Sequence, residues 1–178
     1  MVAACDARGR CYVRNDRSHR PFTGAVTVDA VDVATGRAAR LRLKRVALAP
    51  GPAVLERFSI PLDTVDATRS ILIIKCVDDA GDVVSSSELI LARPADLRLP
   101  AARIKYKVRG RGIVLTSNAT ALFVVLTTRA PGRFADSAFA LLPGRPKTLA
   151  FLPFGAFDAA LFASSLRVEH LAERVELF

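Results

Sequence analysis

The side chains able to do acid, base or nucleophilic work are few and scattered. There are two histidines, His19 in the turn "RSHRP" and His170 near the end of a strand-like run, "SSLRVEHL". Each stands alone, and a lone histidine reads as a solvated or hydrogen-bonded surface residue rather than a ligand. Glu56, Glu88, Asp136 and Glu169 are carboxylates of the kind acid–base chemistry uses. Paired-carboxylate hydrolysis needs two acids facing one substrate bond, and nothing in the spacing pairs any two of these. The chain has no G-x-S-x-G elbow, no P-loop and no H-E-x-x-H. No catalytic, cofactor-binding or metal-ligating residue is assigned from the sequence.

The basic residues suggest binding rather than catalysis. The net charge is +9 over 178 residues, which permits nucleic acid, acidic glycan or an acidic protein as partner and proves none of them. The densest run is "RIKYKVRGRG". Strand alternation places Lys105, Lys107, Arg109 and Arg111 on one face, with Ile104, Tyr106 and Val108 facing in. Such a stripe can track phosphates. It also describes a solvated strand face whose cations guard a sheet edge against aggregation. A nucleic-acid binder interleaves exposed aromatics among its charges. Here the single aromatic is on the other face and tryptophan is absent, so nucleic acid is disfavoured. The missing tryptophan also weakens the usual stacking platform for a sugar.

Three cysteines occur, Cys5, Cys11 and Cys76, without any C-x-x-C pair. Neither a zinc site nor a full disulfide framework is indicated. Cys76 lies in an apolar run and reads as a buried thiol, with a Cys11–Cys76 bridge as the alternative. The N-terminal stretch has no apolar segment of signal-peptide length, and no uninterrupted apolar run reaches membrane-spanning length. "NAT" at 118–120 fits the glycosylation acceptor pattern, relevant only in a secretory compartment.

The elements that would position these residues are almost all strands. "CYVRND" ends in the turn pair Asn15-Asp16. "GAVTVDAVDV" alternates at Val26, Val28 and Ala30 and then changes phase at Val31 and Val33, which predicts a bulge or bend. "ARLRLKRVAL" sets Leu41 and Leu43 against Arg40, Arg42 and Lys44, a half-buried strand with a basic outer face. "VLERFSIPL" puts Phe58, Ile60 and Leu62 on one face. "SILIIKCV" is apolar on both faces and reads as a central strand, "DDAGDV" as the hairpin turn after it, and "SSSELILARP" as a strand with Leu89 and Leu91 together. Pro94 and Pro100 break residues 93–104 into a linker. Beyond it come "RIKYKV", "GRGIVLTS", "TALFVVLTT", "KTLAFLPF", "SSLRVEHL" and a short "RVELF". A helix is a candidate for part of "PLDTVDATRS" or "GAFDAALFASS". Apolar residues make up 51% of the chain, enough for a core, and strands this short with turns this frequent predict an all-β protein of two consecutive immunoglobulin-like sandwiches, residues 1–97 and 98–178.

One loop, "RFADSAFALLPG" at 133–144, fits neither a strand nor a helix period. Phe134 and Phe139 are expected to plug a sandwich end, each contributing on the order of 2 kcal/mol of apolar burial. Asp136 is expected to accept backbone hydrogen bonds. Pro143-Gly144 suits the two central positions of a type II turn.

Three segments together resemble one family. "YVRND" (12–16) is similar to the V-x-N-D strand that opens the first sandwich after the barrel in β-mannosidases of the glycoside hydrolase 2 type. "SSSELILARPADLRLPAARI" (85–104) resembles that family's module junction, P-K-D-L-x-L-P-x-P-x-I, through Pro94, Asp96, Leu97, Leu99, Pro100 and Ile104, with Ala95 and Ala102 departing from it. "RFADSAFALLPGRPKTLAF" resembles F-S-D-N-x-F-D-L-L-P-G-E-x-K-x-V-x-F of the terminal module. Phe134, Asp136, Phe139, Leu141, Leu142, Pro143 and Gly144 match, while Ala135, Ser137, Ala140 and Arg145 depart. The resemblance implies that the chain is a non-catalytic, C-terminal accessory region. The parent would be a retaining exo-glycosidase removing terminal β-linked mannose through two glutamates on a (β/α)8 barrel. A barrel takes ~250 residues, so none fits in this chain, which by itself is expected not to be an enzyme and to need no cofactor. The implied partner is that barrel, with an oligosaccharide as a further candidate and a lysosomal or cytoplasmic setting. Glucosaminidases share such modules, so the parent's substrate stays open. The alternative is a free-standing basic module that holds an acidic glycan or polyanion through Lys105, Lys107, Arg109 and Arg111.

Overall fold

The computed structural model describes residues 1–51 and 55–175, and the chain divides into two compact units. One is formed by Met1–Asp32 with Arg37–Leu97, the other by Val33–Gly36 with Arg98–Phe178. Both are antiparallel sandwiches of one four-stranded and one three-stranded sheet among the described residues.

In the first unit the strands are β1 (Val2–Cys5), β2 (Arg10–Arg14), β3 (Phe22–Asp32), β4 (Ala38–Leu48), β5 (Leu55–Ser59), β6 (Ser70–Asp78) and β7 (Val83–Ile90). The sheets run β1-β2-β5 and β4-β3-β6-β7. Alternation decides what fills the space between them. Val26, Val28 and Ala30 of β3, Leu72, Ile74 and Cys76 of β6, and Cys11 and Val13 of β2 all enter one core. Phe58, Leu62, Leu89 and Leu91 pack against it, and Ile60 is buried within it. Strand β6 is central, between β3 and β7, and buries Ile71 and Ile73 on its second face as well. This is why Ile71 to Ile74 form an unbroken apolar run. The turn after it is pinned by Asp78, whose Oδ1 accepts the Ala80 and Asp82 N–H groups at 3.0 and 2.9 Å.

The bulge expected in β3 is corrected: β3 runs in unbroken register against β6 from Gly24 to Asp32, and Val31 is buried because both faces of the strand are covered. A bulge falls in β4 instead and reorders it. Pairing of β3 with β4 shifts between Val28, opposite Arg42, and Asp29, opposite Arg40. Leu41 is the extra residue. It packs against the core, but the shift turns Leu43 outward, 56% exposed. Lys44 falls in line with buried Val26 and reaches the Glu56 carboxylate at 2.6 Å. The two-faced reading of this strand is therefore corrected: one inserted residue moves every later side chain to the opposite face.

The second unit follows a short 3-10 turn, Pro94–Asp96, closed by the Arg93–Asp96 ion pair at 2.7 Å. Its strands are β8 (Ile104–Arg109), β9 (Gly112–Ser117), β10 (Ala121–Thr127), β11 (Gly132–Phe134), β12 (Phe139–Leu141), β13 (Lys147–Pro153) and β14 (Arg167–Glu169). Helix α1 (Ala159–Ser165) precedes β14 and helix α2 (Ala172–Val175) follows it. The sheets are β11-β13-β9-β8 and β12-β10-β14. Ile113, Leu115, Leu149 and Phe151 from the first meet Val124, Leu126, Phe139 and Leu141 from the second. A bulge in β10 between Ala121 and Val124 brings Phe123 to φ +51° and leaves its ring 40% exposed.

Helix α1 is one of the two expected helix candidates. Asp158 caps it by accepting the Leu161 N–H at 2.9 Å. At seven residues it is too short to stand alone, and its anchor is Phe162, which is wholly buried. The other candidate, within 61–70, forms turns instead, with Asp66 accepting the Thr68 N–H at 2.9 Å. The strand expected over "RVELF" is corrected at its start, because Arg174 and Val175 close α2. Its last three residues lie outside those described.

Candidate functional site

The basic run lies on an edge strand. Among the described residues strand β8 pairs only with β9, and the two are joined by a two-residue turn at Gly110-Arg111. Lys105, Lys107 and Arg109 stand opposite Thr116, Val114 and Gly112, on the face away from the core. Tyr106 and Val108 stand opposite buried Leu115 and Ile113, so they do point inward. They remain 43% and 36% exposed because an edge strand is covered on one side only. Ile104 alone of the three packs against the core. Arg111 leaves the stripe. It sits in the turn, and its guanidinium lies over the Phe157 ring, 5.5 Å from the centroid. The expected four-cation face is thus a three-cation face.

The candidate acids fall on separate elements. Glu56 is on β5 and held by Lys44; Glu88 is on β7. Asp136 is in the loop between β11 and β12, and Glu169 ends β14. His19 is exposed, as expected of a turn residue. His170 is not: its side chain is buried, with Nε2 3.3 Å from the Glu173 carboxylate. The solvated reading of His170 is corrected. The β10–β14 pairing and the Leu171 N–H bond to the Leu122 carbonyl at 2.9 Å hold the flanking backbone and place the ring inside. Among the described residues no group of three or more His, Cys, Asp or Glu could hold a metal.

The irregular loop is the crossover between sheets. Phe134 ends β11 in the four-stranded sheet, and Phe139 begins β12 in the three-stranded one. Phe139 is buried, and the Lys147 ammonium lies 4.1 Å from its ring centroid. Phe134 joins a ring cluster, 5.2 Å from Phe151 and 6.1 Å from Phe162. The Phe151 and Phe162 rings are 4.7 Å apart, and Phe157 lies 5.4 Å from Phe162, all separations at which aromatic rings attract. Asp136 accepts the Ser137 N–H at 2.8 Å and the Lys147 ammonium at 2.7 Å. The turn at Pro143-Gly144 closes with the Arg145 N–H donating to the Leu142 carbonyl at 3.3 Å. Gly144 has φ +69°, the value that the second central position of a type II turn requires.

Two features escaped the sequence reading. Cys5 and Cys11 are bonded, so the Cys11–Cys76 alternative is corrected, and Cys76 is a buried free thiol whose burial pushes its pKa up. The signal was present in "CDARGRC". Asp6 accepts the Arg8 and Arg10 N–H groups at 2.9 and 3.0 Å, and Gly9 adopts φ +76° where a Cβ would meet the Ile60 carbonyl at 2.6 Å. That hairpin sets Cys5 directly opposite Cys11. The second feature is Asn15, which is fully buried. Its Nδ2 donates to the Arg20 carbonyl at 2.7 Å, and its Oδ1 accepts the Arg17 N–H at 3.2 Å. The "ND" pair is a loop anchor as well as a turn.

Two immunoglobulin-like sandwiches without a barrel among the described residues define the class. Within it, residues 94–174 match the Ig_mannosidase family model, an Ig-fold domain. The resemblance read from the motifs is thereby supported for the second unit. A search of curated proteins returns no match. Solved structures share the fold over both units. The β-D-mannosidase of Dictyoglomus thermophilum is 16% identical with a TM-score of 0.71, over 95% of this chain and 21% of that one. The exo-chitosanase CsxA of Amycolatopsis orientalis is 14% identical with a TM-score of 0.61, over 94% of this chain and 25% of that one. The chain thus spans a fifth to a quarter of their length. Among the described residues no helix is long and apolar enough to cross a membrane.

Proposed function

We propose that this chain is the non-catalytic accessory region of a larger β-mannosidase-like glycoside hydrolase, with modules at 1–97 and 98–178. The observation that carries the reading is the overlap of both units with one stretch of a β-D-mannosidase, joined to the Ig_mannosidase match over 94–174. Terminal β-mannoside is the proposed substrate of the parent, and the overlap with an exo-chitosanase keeps β-glucosaminide as its competitor. The modules brace the catalytic barrel, and no residue of this chain is given a catalytic, cofactor or metal role. The scattered acids, two of them neutralised by Lys44 and Lys147, agree with that role. Purified chain incubated with aryl β-mannoside and aryl β-glucosaminide is expected to release no phenol. Turnover that survives further purification would overturn the reading.

A second reading rests on the outward face of β8. Lys105, Lys107 and Arg109 form no ion pair among the described residues, which leaves three free cations for an acidic glycan. It predicts heparin retention above that of other proteins of equal charge, lowered by Lys105→Gln with Lys107→Gln. Retention no greater than charge alone gives would remove this reading.

A further inference from the structure

The β10–β14 ladder pairs Val125 with Glu169, Leu126 with Val168 and Thr127 with Arg167, and ends there. Beyond it the last turn of α1 takes the place of a continuing strand, and side-chain bonds to Ser165 replace the ladder. A cleft of about 640 Å³ lies here, and its walls include Thr128, Arg129, Ser164, Ser165 and Arg167. This is within the ordinary size of small-ligand sites. The chemistry of its walls is one-sided. Two arginines line it and no carboxylate or aromatic ring does. Neither guanidinium has an ion-pair partner among the described residues.

The hydroxyls in the cleft are fixed rather than free. The Thr128 and Ser165 hydroxyls are 2.9 Å apart, the Ser165 Oγ accepts the Arg129 N–H at 2.9 Å, and the Thr128 Oγ1 accepts the Ala130 N–H at 3.2 Å. They also occupy two carbonyl oxygens of α1 that would otherwise repel an anion. The C-terminal end of a helix exposes carbonyl oxygens. Here the Leu161 carbonyl accepts the Ser165 hydroxyl at 2.6 Å and the Ser164 hydroxyl at 3.4 Å, and the Phe162 carbonyl lies 3.3 Å from the Thr128 hydroxyl. With these hydroxyl protons directed into the wall, the charged donors that line the cleft are Arg129 and Arg167.

We infer that this cleft binds a small ligand through an oxyanion group, a phosphate, sulfate or carboxylate, held between Arg129 and Arg167. Guanidinium groups bind such oxygens in bidentate fashion. The absence of an aromatic wall means that the anion, not a stacked ring, supplies the recognition. The site is separate from the β8 face and does not depend on the glycosidase reading.

Thermal melts of the full chain at constant ionic strength test it, with inorganic phosphate, sulfate and glucuronate as probes. At saturating probe the midpoint is expected to rise by ~2 °C or more. The rise is expected to vanish in Arg129→Gln/Arg167→Gln and to persist in Lys105→Gln/Lys107→Gln. Phosphate and sulfate acting without glucuronate assigns a tetrahedral oxyanion, and glucuronate acting alone assigns an acidic sugar. Amide shifts of the unmutated chain give an independent readout, and the perturbed residues should cluster at 127–130 and 164–167. No rise with any probe, an equal rise in the Arg129/Arg167 variant, or shifts centred on β8 would overturn the inference.

Discussion

The two sandwiches share a plan of four strands against three and close their ends by different means. The first uses local chemistry. A hairpin disulfide ties β1 to β2, and buried Asn15 ties the following loop to the Arg20 carbonyl. The second uses aromatic mass. Phe134, Phe151, Phe157 and Phe162 form a ring cluster under α1, and the loop from β11 to β12 crosses between sheets on two phenylalanine anchors. The family model covers 94–174, the unit whose closure is written in distinctive residues. The first unit shares its fold with the mannosidase, but valine and isoleucine alternation is common to many sandwiches.

This contrast predicts where substitutions hurt most. Phe162→Ala removes the wholly buried ring on which α1 depends. It should destabilise the second unit by about 3–5 kcal/mol, read as an early transition in urea unfolding, with the first unit's transition unmoved. A single shifted transition for both units would show that they do not unfold independently. Replacing Cys5 and Cys11 together by alanine should cost about 2 kcal/mol, as expected for closure of so short a loop. The loss should appear in the first unit only, and reductant should mimic it.

Asp136→Ala is a smaller test of the aromatic side. The carboxylate is half exposed, so losing its bond to Lys147 should cost about 1 kcal/mol or less. A melt identical to that of the parent chain would refute a structural role for Asp136. The smallest effects are those of pH. The Arg10 side chain holds the Asp6 carboxyl below its usual range, and Arg93 does the same for Asp96. A lowered folded-state pKa contributes stability above the unfolded carboxylate range and loses it as pH falls through the folded value. The raised Cys76 thiol works in the opposite sense, with stability present below the unfolded thiol range and lost as pH rises. Asp6→Asn should flatten the acid limb of the first unit's stability curve, and Cys76→Ala the alkaline limb.

Much of the fold was legible because alternation reports burial directly. Val26, Val28, Leu72 and Ile74 enter the core their spacing implies, and Pro143-Gly144 makes the turn its residue types demand. The misreadings have physical causes. Leu43 faces solvent because a one-residue bulge at Leu41 inverts the phase of β4, which its regular alternation did not announce. The phase change in β3 came from burial on both faces, not from a bulge. Arg111 left the basic stripe because it forms the hairpin turn together with Gly110. His170 is buried by tertiary packing that its neighbours in sequence do not report. The arginine cleft was illegible for the same reason, since Arg129 and Arg167 are brought together only by the end of the β10–β14 ladder.

The central claim is that these sandwiches serve a larger hydrolase. Its most direct test is the size of the native polypeptide, by immunoblot of expressing cells with an antibody raised to this chain. A band several times larger than 19.1 kDa is expected. A band at 19.1 kDa would contradict the claim and would leave the basic face of β8 and the arginine cleft as the sites to explain.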